Sequence, residues 1–72
     1  MFQKANLGSG FDILVDGKPR TYRDLRQTAI EAGIVFKRER PQSDVTMRDV
    51  LDNSVTTIDG EFIAAFEVSR KR

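Results

Sequence analysis

Residues 21–40, TYRDLRQTAIEAGIVFKRER, decide how this chain folds, because they admit two readings with different consequences. Tyr22, Leu25, Ala29, Ala32 and Phe36 recur at spacings of three, four, three and four, the period of an amphipathic helix. At 100° per residue the five fall within an arc of about 80°. Thr21 stands where an N-cap belongs, with Asp24 three residues on as the acidic partner of a capping-box-like pair. Arg40-Pro41 ends the pattern, since proline pushes the residue before it out of the helical region. The spacing therefore predicts a helix over 22–39. Gly33 opens the other reading. As a glycine just past a helix end it would stop the helix at Ala32 and release Ile34-Val35-Phe36-Lys37 as a strand. Five in-phase apolar positions outweigh the roughly 1 kcal/mol that a mid-helix glycine costs, so the longer helix is the expectation.

Outward from this element the pattern changes to period two. Phe11-Asp12-Ile13-Leu14-Val15-Asp16 is apolar and β-branched, and Asp16-Gly17 directly after it is a hairpin turn signal, giving a strand and a return strand that reaches Thr21. Beyond Pro41, residues 43–50 alternate, with Val45 and Met47 on one face and Thr46 and Arg48 on the other. The competing reading of residues 43–52 is a short helix capped by Ser43. Asp52-Asn53-Ser54 has turn chemistry, Val55-Thr56-Thr57-Ile58 is β-branched throughout, and Asp59-Gly60 reads as a second hairpin. Phe62, Ala64, Phe66 and Val68 then share one face of a final strand. The expected order is β-β-α-β-β-β, a small two-layer α+β domain over residues 1–72. It has a largely antiparallel sheet of four or five strands and one helix packed on one face.

Composition narrows the chemistry. The 72 residues contain no Cys and no His, which excludes disulfides, thiolate metal sites and the Ser–His and Cys–His pairs of nucleophilic catalysis. A chain this short buries only roughly 60% of the surface it exposes when unfolded, so apolar packing or a partner must stabilise it. Gly8-Ser9-Gly10 lacks both the G-x-x-x-x-G-K-[ST] and the G-x-G-x-x-G patterns and is read as a lead into the first strand. Asp49, Asp52, Asp59 and Glu61 fall where turn residues belong, and the D-x-D-x-D run of a calcium loop is missing. No enzyme, cofactor, metal or small-molecule substrate is expected. The start MFQKANLGSG has no apolar core of a secretory signal, and no apolar run approaches the roughly 20 residues of a membrane helix. A cytoplasmic protein without membrane contact is the expectation.

The net charge of +1 conceals a division. Residues 17–42 carry seven Lys and Arg against Asp24, Glu31 and Glu39, and residues 43–69 carry Arg48 against six acids. On the long-helix reading Ile30 and Ile34 point away from the core, about 140° and 180° from Leu25, with Arg23, Arg26 and Lys37 around them. An apolar centre with a basic rim is the arrangement of a partner-binding patch. The expected function is a non-catalytic protein-interaction module, a small regulator or inhibitor that binds a protein partner or itself through the outer helix face. The alternative is nucleic-acid binding by Lys18, Arg20, Lys37, Arg38, Arg40, Arg70, Lys71 and Arg72, all able to contact phosphates.

Overall fold

Asp16 and Gly17 both adopt positive φ, 53° and 83°, the backbone of a type I′ turn that matches the twist of the strands it joins. They close the hairpin between β1 (Phe11–Val15) and β2 (Lys18–Arg23). The computed structural model describes residues 10–70, so Gly8-Ser9 of the lead and Lys71-Arg72 of the tail lie outside the described residues. After the hairpin come α1 (Arg26–Glu39), β3 (Val45–Asp49), β4 (Val55–Thr57) and α2 (Gly60–Arg70). The four strands form one antiparallel sheet in the order β2-β1-β3-β4, so the α+β class expected from the pattern holds. The order is β-β-α-β-β-α, and the final element is a helix rather than the expected final strand.

Alternation along the strands sends Ile13, Val15, Val45 and Met47 to one face of the sheet, where all four are buried. Ala29, Ile30, Gly33 and Ile34 of α1 and Ile58 after β4 complete the core. The helix does run through Gly33 to Glu39, and a glycine there lets it pack closely on Ile58: a Cβ at Gly33 would overlap Ile58 Cδ1. The first turn differs from the expectation. Thr21 and Tyr22 belong to β2, whose pairing with β1 continues to Phe11 opposite Arg23. Leu25 therefore takes the N-cap position with no side-chain hydrogen bond. Losing Tyr22 and Leu25 from the helical stripe removes what held it in the expected phase. The buried face turns by about 90° at 100° per residue, and Ile30 and Ile34 rotate into the core.

α2 is set by its cap. Asp59 Oδ1 accepts the Phe62 N–H at 2.9 Å, and the Asp59 carbonyl accepts the Ile63 N–H at 2.9 Å. An N-cap aspartate followed by glycine looks in sequence like a hairpin turn, and here the capping role prevails. Phe62, Ile63 and Phe66 then lie on one helical face, half-buried against the core. Glu67 pairs with Arg38 and Arg70 Nη1 with Glu31 Oε2 at 3.4 Å, which ties α2 to α1 on the same side of the sheet.

Candidate interaction surface

Residues expected to form a single outward patch are dispersed. Ile30 and Ile34 are only 5% and 6% exposed, so the apolar centre of that patch does not exist on the outer face of α1. Arg23 ends β2 and donates to Thr21 Oγ1 and, at 2.9 Å, to the Tyr22 carbonyl. Lys37 Nζ donates to the Ser43 carbonyl at 2.7 Å and secures the turn after α1. Arg26, at the start of α1, is exposed.

Two of the five, Arg26 and Ile30, come together in a different place. They line an open groove of about 860 Å³ between the first half of α1 and the inner face of α2, with Gln27, Phe62, Ala65, Phe66, Ser69 and Arg70 as the other walls. Phe62 and Phe66 sit one turn apart with their rings nearly parallel and centroids 6.5 Å apart. The Arg70 guanidinium lies 5.3 Å from the centroid of Phe66, within the range of a cation–π contact. The floor is thus aliphatic and aromatic, and a guanidinium stands on each helix at its rim. Reading residues 61–68 as a strand concealed this site. Phe62 and Phe66 at i and i+4 beside the helix-favouring Ala64-Ala65 were the signal for it.

The second exposed surface is the sheet face opposite the helices, which no described element covers. Register aligns Tyr22, Asp12, Arg48 and Val55 in one row across the four strands. Arg48 Nη2 and Asp12 Oδ2 pair at 2.6 Å in the middle of that row, and Arg48 Nε is buried with no partner among the described residues. The Tyr22 ring covers Gly10, where any Cβ would collide with it. A ring over a bare glycine shields backbone that a side chain would otherwise protect.

The basic residues of the nucleic-acid reading occupy separate parts of the molecule. Lys18 and Arg20 stand on β2 and Arg40 follows α1. Lys37, Arg38 and Arg70 are engaged with Ser43, Glu67 and Glu31. Among the described residues no three carboxylates come together in a way that could hold a metal ion, and no helix is long and apolar enough to cross a membrane. Asp16 and Asp52 are held below the ordinary carboxylate value of 3.8. The chief cause for Asp16 is the Asp44 backbone N–H, followed by the Ser43 hydroxyl; for Asp52 it is the Ser54 N–H and then its hydroxyl. Both are exposed turn residues, and a lowered value moves them away from proton transfer near neutrality. Neither family models, nor curated proteins, nor solved structures give a match to this chain.

Proposed function

We propose that this chain is a non-catalytic protein-interaction module, a small cytoplasmic regulator or inhibitor, and that the groove between α1 and α2 is where it holds its partner. The observation that carries this reading is the groove itself, with Ile30, Phe62 and Phe66 in the floor and Arg26 and Arg70 at the rim. Aromatic and arginine side chains around a desolvated centre are what protein interfaces concentrate. Its occupant would be an amphipathic segment that sets an apolar side chain between the two helices and a carboxylate against Arg26. Composition supports a binding role over a catalytic one, since without His or Cys the commonest proton carriers and nucleophiles are missing. The nucleic-acid alternative draws less support, because three of its six described basic residues have partners within the chain.

A photo-cross-linking amino acid placed at Ala65, which is exposed and lines the groove, tests this in extract of the source cell. A control carries the cross-linker at Thr46 on the sheet face away from the helices. A discrete protein adduct from position 65, absent from position 46 and lost on Arg26→Glu, is the expected result. The same adducts from both positions, or an adduct indifferent to Arg26→Glu, would remove the groove as the site.

A further inference from the structure

The two edges of the sheet are built differently. On β2, Pro19 has no N–H to offer, the pairing with β1 slips between Ile13 and Leu14, Lys18 and Arg20 flank the proline, and Arg23 Nη1 covers the Tyr22 carbonyl. These are the devices by which proteins block an edge strand from pairing with another chain.

On β4 none of them is present. The Asp49 N–H donates to the Ser54 carbonyl at 2.8 Å and the Ile58 N–H to the Val45 carbonyl at 2.8 Å. Thr56 opposite Met47 lies midway between these two bonds, so by the parity of an antiparallel ladder it bonds inward to β3. The N–H and C=O of Val55 and Thr57 then point outward from the sheet, and both residues are exposed. Val55-Thr56-Thr57 is β-branched throughout, carries no charge and contains no proline.

Charge identifies what this edge would take. Between residues 49 and 67 there are five acids and no Lys or Arg, and Glu67 alone of the five has an ion-pair partner among the described residues. Asp52 precedes the open strand and Asp59 and Glu61 follow it. A second copy fits poorly. Antiparallel pairing of two β4 strands about Thr56 would set Asp52 of each against the Asp59-Gly60 start of α2 in the other, and like charges across a ladder destabilise it.

We infer that β4 is a site of strand addition, at which an extended segment of a partner protein bearing Lys or Arg near its ends pairs with the outward N–H and C=O groups of Val55 and Thr57. Main-chain bonds hold the segment, and its cations meet Asp52 at one end and Asp59 and Glu61 at the other. The site is on the sheet edge, apart from the groove between the helices, and stands or falls independently of it.

The probes are a blocked nonapeptide alternating lysine and valine and its counterpart with glutamate for lysine, added to the isotope-labelled protein. The lysine peptide is expected to slow exchange of the Val55 and Thr57 amides by at least about ten-fold, with an effect that weakens as salt is raised. Thr57→Pro deletes one outward donor and leaves the inward Thr56 pair, so it should abolish the protection. Asp52→Lys with Glu61→Lys keeps every backbone group and should weaken binding by about ten-fold or more. That charge reversal decides the matter should the proline variant unfold. Unchanged exchange at both amides, equal protection by the glutamate peptide, or indifference to the charge reversal would each overturn the assignment. So would protection that appears without peptide and rises with protein concentration, since the occupant would then be a second copy.

Discussion

Gly33 of α1 lies directly against Ile58, so close that the methyl group of an alanine would occupy the space of Ile58 Cδ1, while Ile58 Cγ1 would stand at an ordinary 3.6 Å. One terminal methyl, in a side chain with no exposed surface, therefore decides what position 33 can carry. Gly33→Ala gains about 1 kcal/mol of helix propensity and loses about 1–3 kcal/mol to overpacking. Ile58→Val removes that methyl and costs about 0.5–1.5 kcal/mol alone. The two changes should be non-additive, the double variant being more stable than the sum of the single effects by roughly 1 kcal/mol or more. Urea unfolding of the four proteins measures the coupling, and strict additivity would mean that the helix and Ile58 do not meet as described.

The phase of α1 is tested by two adjacent residues. Ile34 is 6% exposed and Val35 is 54% exposed. Ile34→Ala should cost about 2–5 kcal/mol, a large share of the roughly 4–11 kcal/mol expected for a domain of this size, whereas Val35→Ala should stay within about 0.5 kcal/mol. Ile34→Glu buries a charge with nothing to pair it and should unfold the protein. Circular dichroism melts of the three variants give the order. An Ile34→Glu protein that folds would restore the outward position that the helical spacing alone predicts.

Much of this was legible in the sequence, and the gaps have identifiable causes. The hairpin at Asp16-Gly17 and the alternation of Val45 and Met47 were plain because turn chemistry and period-two burial agree there. The continuity of α1 through Gly33 followed from the apolar positions on both sides of it. The start of α1 was obscured because Thr21-Tyr22 suits a strand as well as a cap, and pairing with β1 extends β2 to Arg23. That shift carried the proposed partner surface with it, since Ile30 and Ile34 could look outward only if Tyr22 and Leu25 looked inward. In α2, Phe62 and Phe66 satisfy period two and period 3.6 alike, so only the helix preference of Ala64-Ala65 favoured the helix in sequence, and Asp59 adds to it by capping the Phe62 N–H. The groove depends on both misread elements, so the sequence contained its residues without their arrangement.

Asp59 caps the start of α2, because its side chain takes the Phe62 N–H that the helix leaves without an internal partner. Asp59→Ala should lower stability by about 0.5–2 kcal/mol. Asp59→Ser, which keeps an acceptor at the same place, should recover most of it. Melting temperatures give the stability order, and amide exchange in residues 60–64 shows whether the loss is local. An alanine variant with unchanged exchange in that turn would argue that α2 begins elsewhere.

Acid should loosen the junction between the β1–β2 turn and the start of β3. Asp16 Oδ1 accepts the Asp44 N–H at 2.9 Å, while the Asp44 carbonyl accepts the Asp16 N–H at 2.7 Å. This reciprocal pair fastens the first hairpin to β3, and the side-chain half of it is stronger when Asp16 is ionised, because a carboxylate is a better acceptor than the neutral acid. The Asp44 N–H, with smaller contributions from the Ser43 hydroxyl and the Arg40 and Lys37 charges, holds the Asp16 carboxyl below its ordinary 3.8. A carboxyl whose value is depressed in the folded state stabilises that state above the unfolded value. Its contribution is lost as pH falls through the folded one. Wild-type stability should therefore decline as pH drops from near 3.8 toward the lowered native value, with Asp52 adding to the same slope. Asp16→Asn removes one titrating group, and with Asp52→Asn both are gone. Denaturant unfolding at closely spaced pH values should show a progressively flatter dependence below pH 4 from wild type to single to double variant. A double variant with the wild-type slope would assign the acid sensitivity to other carboxylates.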